Sequence, residues 1–477
     1  MVGIVDTDSF AKWGAHLLSA APRDWSLELL VVDTPRTASP AQLRAAFRGL
    51  DDRLAHLAAT PPAPLTVDAI VDRLRCDPPD AVLVSTIGPV AELLIDEVHR
   101  QVTPRPVLLT GLPGISFPAK WKGVFSRARA DLFVLHSHRE VRAYDAMATE
   151  NGVVPFFALA TLPFAARPGH SLTAQPPADH DATHTPDSVV FAAQPSVPES
   201  EADRARVVAW LAETARRHPS WRVVVKTRAV AGEHQTHRET FPYADLLPAD
   251  APPNLVVETG PMAVHLDRAV ALVTISSTAV LEAAARGIPA LTLTDFGVHR
   301  SLINEVFVGS GLEGDAIDLV DGRFGVVHPD WMTDNYFHPD SDDDWADRAE
   351  AAMAARDAGT LVDRPSARRS HGGALRRAWE RKNTLGAADR TAIGRVALAI
   401  GAPVRTAKRL ARRVRRMVVP PEPTAVGAPT SQRTGVLPGA TPTAQAEPGL
   451  QAVDREGASV DGARDGQQQL VTGRDAG

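Results

Sequence analysis

The run Ser276-Ser277-Thr278 sets three hydroxyls between an apolar stretch, 271–275, and a helical stretch that reaches Arg286. A helix N-terminus offers unpaired amides and the positive end of the helix dipole, so hydroxyls there can help to cradle a phosphate. Glu282, one turn inside, could then meet a ribose hydroxyl. The plainer reading is capping: Ser277 or Thr278 accepts a bond from an amide, and Glu282 lies on the surface. Both readings stand at this point. Lys226 and Arg228, at the end of an apolar stretch, suit a diphosphate or are simply solvated charges. Gly260, in the loop Glu258-Thr259-Gly260-Pro261, could approach a nucleotide base.

A second set of groups lies nearer the start. Asp6-Thr7-Asp8-Ser9 follows the apolar stretch 2–5, and a carboxylate there could act as general base on an acceptor hydroxyl. Asp8 is preferred over Asp6 for this role; the alternative is a loop carboxylate capping the next helix. Thr110-Gly111-Leu112-Pro113-Gly114 also follows an apolar stretch. Gly111 and Gly114 could let backbone approach a ligand, with Lys120, Lys122 and Arg127 beyond, or the segment is a tight turn with a basic surface. His136, His138 and His299 could reach a cleft or be structural. His170, His180 and His184 lack metal-site spacing.

These groups must be held by elements. Apolar stretches at 2–5, 27–32, 81–85, 107–110 and 132–135 alternate with helical periodicity at 41–59 and 90–101. A second alternation starts at 188, with strands at 189–192, 221–226, 255–258, 271–275 and 290–293, and helices at 201–217 and 261–268. That pattern predicts parallel sheets covered on both faces. The expected organisation is an α/β half over 1–165, a linker over 166–187, a second α/β half over 188–340 and C-terminal helices over 341–395. A basic amphipathic helix over 396–419 and a disordered tail over 420–477 complete it. With 477 residues, two domains are the natural division. A net charge of −6 gives no reason to expect nucleic acid. A single cysteine suits a reducing compartment.

Ser276-Ser277-Thr278, Glu282, Gly287, Pro289 and Asp295 together resemble the donor-nucleotide region of GT-B glycosyltransferases. The Ser-Ser turn is most similar to bacterial sialyltransferases, polysialyltransferases and CDP-glycerol transferases of capsule and wall synthesis. The resemblance implies an α/β protein of two Rossmann-like domains facing a cleft, covering residues 1 to about 360. It also implies an acceptor half over 1–165, a nucleotide-donor half over 188–340, hydroxyls on the donor phosphate, Lys226 and Arg228 neutralising charge, Glu282 on ribose, and no metal or cofactor. The chain departs from the sialyltransferase pattern at Val224-Val225-Lys226-Thr227-Arg228, where lysine is retained and His-Pro is missing.

Near the end, Arg405, Lys408, Arg409, Arg412, Arg413, Arg415 and Arg416 occur without an acid. Val404, Ala407, Leu410, Ala411, Val414, Met417 and Val418 recur at three- and four-residue steps. Such a helix can lie on an anionic bilayer, through residues 404–418. The start, MVGIVDTDSFAK, lacks the pattern of a secretory signal, and no apolar run is long enough to span a bilayer. The expectation is therefore a cytoplasmic enzyme attached to the inner face of the cell membrane. It would move a sugar or polyol phosphate from a nucleotide donor to a hydroxyl of a cell-envelope or capsular acceptor. The alternatives are a nucleotide-sugar 2-epimerase and a non-catalytic scaffold of the same fold.

Overall fold

The computed structural model describes residues 1–163, 185–227, 240–367 and 373–401. The first half alternates strand and helix: β1 (Val2–Val5), α1 (Asp8–Ser19), β2 (Glu28–Val31), α2 (Pro40–Ala46), α3 (Val67–Cys76) and β3 (Ala81–Ser85). It continues with α4 (Gly88–Gln101), β4 (Val107–Gly111), α5 (Trp121–Phe125), β5 (Leu132–Leu135), α6 (His138–Glu150) and β6 (Phe157–Leu159). All six strands are parallel, in the order β2-β1-β3-β4-β5-β6. The strands are short and almost wholly apolar because helices cover both faces of the sheet. Val82, Val84 and Phe133 face one apolar layer; Leu83, Leu109 and Val134 face the other.

The second half repeats the plan. It holds β7 (Ser188–Ala192), α7 (Glu201–Arg217), β8 (Arg222–Lys226), β9 (Leu255–Glu258), α8 (Met262–Leu266) and β10 (Ala269–Thr274). Then come α9 (Ala279–Ala285), β11 (Ala290–Leu293), β12 (Glu313–Gly314), α10 (Ala316–Asp321) and α11 (Pro329–Asp334). This sheet is also parallel, in the order β12-β11-β10-β7-β8-β9. Two doubly wound halves are the α/β architecture expected from the alternation of strands and helices, and they agree with the GT-B resemblance.

The remaining helices are α12 (Trp345–Asp357), α13 (Ala374–Leu385) and a helix over residues 392–401, α14. The helix α12 returns to the first half, where Trp345 and Ala349 join its apolar layer. Three aspartates fix that return. Asp342 meets His138 at 3.0 Å, Asp343 accepts from Thr161 at 3.2 Å, and Asp344 accepts from the backbone of Leu159 at 2.7 Å. They make a strap rather than a simple helix start.

Two local expectations are corrected. The single helix expected over 41–59 is broken: α2 ends at Ala46, Gly49 takes a left-handed φ of 75°, and only a short helical turn, Ala55–Ala58, follows. Ser39 and Gln42 close a capping box that fixes where α2 starts. Pro261 precedes α8 as its N-cap, not its first helical residue.

Candidate functional site

In each sheet the chain reverses its winding at one place, and ligands of such sheets bind outside the carboxyl ends of the strands there. The reversal lies between β1 and β3 in the first sheet, and between β7 and β10 in the second.

At the second reversal the hydroxyl run is divided among different tasks. Ser276 donates from its backbone amide at 3.1 Å and from its hydroxyl at 2.9 Å to the same oxygen, Oε1 of Gln194. Gln194 follows β7, so this side chain ties the two strand ends across the crevice. Ser277 accepts from the amide of Ala279 at 3.3 Å, which is the capping bond, and donates its own amide to Thr274 at 3.1 Å. Thr278 makes no side-chain capping bond. Capping and the strand tie thus occupy two of the three hydroxyls. Gln194 escaped the sequence reading; its signal is a lone amide just past an apolar strand.

The other donor-side residues lie around this crevice to different degrees. Lys226 ends β8, next to β7, with its backbone carbonyl accepting from Ala193. Glu282 is half-buried in α9, 4.0 Å from Arg286. Gly260 is exposed; its φ of 114°, not crowding, is what demands glycine there. His299 is exposed and bound locally, to Ser301 at 2.7 Å. Asp295 has one buried carboxylate oxygen without a partner among the described residues. Arg228 lies outside the described residues, as does the basic segment 404–418.

At the first reversal Asp6 is 0% exposed. Its carboxylate accepts from Thr7 N at 2.6 Å and Ile87 N at 3.1 Å, so it pins the β1 end to the loop after β3. Burial pushes its carboxyl up to about 6, against the pull of those amides and of Arg127. Asp6 is therefore an anchor of the loops, not an open cleft group. Asp8, the first residue of α1, is half-buried, and Ser9 beside it is exposed, 3.5 Å between side chains.

The glycine reading is corrected at one position. Gly111 lies within β4, and a Cβ there would meet Trp13 at 2.5 Å and Val134 O at 2.6 Å. It is a packing glycine in the core. Gly114 takes a φ of 72° in the following turn. His136 is buried: Trp13 donates to its Nε2 at 2.6 Å, which leaves Nδ1 to donate to Ala160 O at 2.8 Å. Burial holds it neutral, down to about 4. It is structural.

Beside this reversal is a cavity of about 720 Å³. Phe10, Ile87, Leu112 and Ile115 give it apolar walls, and Arg36, Lys120, Lys122 and Arg127 give it charge. Ile303 reaches it from the second half, so the cavity belongs to the cleft between the halves. Nearby, Arg139 donates to Val306 O at 3.0 Å, and the buried Glu140 accepts from Tyr336 at 2.6 Å. Glu140 also accepts from Ser116 N at 2.6 Å and His136 N at 3.2 Å, and burial raises its carboxyl. It is the knot between the halves, and nothing in the sequence marked it.

A cleft between two doubly wound halves, with polar groups at both strand reversals, is the setting in which the family assignment falls. The family described as "Putative glycosyltransferase (DUF6716)" matches residues 1–352. The chain belongs to that family. The match covers both sheets and stops within α12. No curated protein matches this family member. Among solved structures, UDP-GlcNAc 2-epimerase from Methanocaldococcus jannaschii is 11% identical, with 74% of this chain and 98% of that one covered and a TM-score of 0.48. UDP-GlcNAc 2-epimerase from Neisseria meningitidis, bound to UDP-GlcNAc, is 11% identical over 74% and 98%, with a TM-score of 0.45. Arabidopsis thaliana UGT89C1 is 13% identical over 76% and 99%, with a TM-score of 0.38.

Proposed function

We propose that this chain transfers a glycosyl group, or a polyol phosphate, from a nucleotide-activated donor to an acceptor hydroxyl held in the cleft. The observation that carries the reading is the second strand reversal. There Gln194, Ser276, Ser277 and Thr278 gather at the ends of β7 and β10, with Lys226 on the adjacent strand. Thr278, the amide end of α9 and Lys226 supply donors for a leaving phosphate, and electrostatic stabilisation of that charge is the larger part of the catalysis. Glu282 and Gly260 flank the nucleoside. The scheme uses no metal and no cofactor.

On the acceptor side, Asp8 takes the proton from the attacking hydroxyl. It is the carboxylate of the Asp6-Thr7-Asp8 segment with solvent access, since Asp6 is sealed by its two amides. The acceptor is a glycan or lipid-linked molecule of the cell envelope, reached by a chain that rests on the inner membrane face through residues 404–418. Among the described residues no helix is long and apolar enough to cross a membrane.

Calorimetry with CMP, CDP, UDP and GDP tests the donor site. One nucleotide should bind the native chain, and Gln194→Ala combined with Ser276→Ala should weaken it by about tenfold or more. Asp8→Asn should keep that binding and lose turnover by about a hundredfold or more. Absence of binding by all four nucleotides overturns the reading.

A further inference from the structure

The cleft cavity of the first half is charged in one sense only. Arg36, Lys120, Lys122 and Arg127 line it, and no aspartate or glutamate does. Among the described residues, the side chains of Arg36, Lys120 and Lys122 have no carboxylate within ion-pair distance, although the chain as a whole carries more acids than bases. Arg127 differs from these three in being 2% exposed. Its Nε donates to Thr110 at 3.1 Å and one terminal nitrogen donates to Thr86 O at 2.6 Å. Those bonds fix the guanidinium against the floor, and desolvation lowers it to about 10 without removing its charge near neutral pH.

Keeping a guanidinium in such a place is costly unless an anion answers it. Asp6 is within electrostatic reach of Arg127, but its carboxylate bonds the amides of Thr7 and Ile87 and so answers the guanidinium only in part. Three more cations at the same mouth repel one another, and a single carboxylate would leave most of that charge unanswered. A phosphate or diphosphate answers more of it, and cations of this kind hold phosphate oxygens well. The walls add a second requirement. Phe10, Ile87, Leu112, Ile115, Phe117 and Ile303 are apolar and would sit against an apolar group next to the anion. The volume suits a small or medium ligand.

We infer that the cavity of the first half is a phosphate-binding acceptor site, taking an acceptor whose phosphate or diphosphate lies beside an apolar portion. This rests on the transferase reading and names the acceptor class. Lys120, Lys122 and Arg36 hold the anion at the mouth, and Arg127 fixes the field from the floor. The phosphate could be carried by a lipid or by a free sugar phosphate; both present the same chemistry to these residues.

The test measures binding of octyl phosphate, inorganic pyrophosphate, glucose 1-phosphate and the neutral control octyl glucoside to the full chain. The same titrations are made on Lys120→Gln combined with Lys122→Gln, exposed positions whose loss leaves the core intact. At least one phosphate probe should bind, with affinity falling about tenfold or more in the double variant and with added salt. Tighter binding of octyl phosphate than of glucose 1-phosphate marks a lipid-borne acceptor; the reverse marks a soluble one. The proposal is overturned if octyl glucoside binds as well as the best phosphate probe, if no phosphate probe binds, or if the double variant binds them unchanged. Nucleotide affinity, read on the same samples, depends on Ser276 and Gln194 and not on these lysines. Nucleotide affinity lost in the lysine variant would put the donor phosphate in this cavity and overturn the acceptor assignment, whereas no nucleotide binding by the native chain would count against the donor site alone.

Discussion

At the scale of single residues, the sequence showed which types were present and the fold decided what each could do. Asp6 and Asp8 are two positions apart and chemically alike, yet one is sealed and the other faces solvent. The sealed one makes a measurable prediction. Its carboxyl stands at about 6 in the folded chain against an ordinary 3.8, so protonation favours the fold. That contribution is complete below about 3.8 and is lost as pH rises through about 6. Asp6→Asn lacks it. The stability of the native chain relative to the variant should therefore rise by up to about 3 kcal/mol as pH falls from 7 to 4. Denaturant unfolding at several pH values reads this directly; a difference that stays flat with pH would show that Asp6 is not held as described. Ser276, Ser277 and Thr278 were legible as a capping or phosphate-binding run, but their division was not. Gln194 lies 82 positions away from Ser276, and no local pattern brings them together.

At the scale of elements, the strands were the most legible part. Fully buried parallel strands read as continuous apolar runs, and five of them match the expected bounds: 2–5, 81–85, 132–135, 255–258 and 290–293. Helices that depend on tertiary capping were less so, as the broken 41–59 stretch shows. The helix α14 carries its own prediction. Gly394, Ala397 and Gly401 face the protein, where Gly401 packs against Trp379, while Ile393, Val396 and Ile400 are 51%, 54% and 53% exposed. Continued at three- and four-residue steps, that exposed stripe meets Val404, Ala407, Ala411, Val414 and Val418 in the sequence. An apolar stripe with basic residues on the other positions suits an anionic bilayer. Ile393→Ser, Val396→Ser and Ile400→Ser together should reduce sedimentation with anionic liposomes several-fold and leave neutral liposomes unbound as before. Equal sedimentation of native and variant chains would remove α14 from any membrane role.

At the scale of the whole molecule, alternation of strand and helix made two α/β halves readable, and the family match runs over residues 1–352. What joins the halves was not readable. Glu140 and Tyr336 are 196 positions apart, and no local pattern brings the aspartates 342–344 to their partners in the first half. Long-range polar knots of this kind leave no periodicity behind. They matter because they fix how the two halves meet. Sequence reading leaves a nucleotide-sugar 2-epimerase as the alternative to a transferase, so the decisive quantity is the fate of the donor. The measurement is product analysis of UDP-, GDP-, CDP- and CMP-sugars incubated with the full chain and a phosphate-bearing acceptor of the class inferred above. The account predicts that one donor releases its nucleotide in step with sugar appearing on the acceptor. Interconversion of two nucleotide sugars with no net nucleotide release would contradict it.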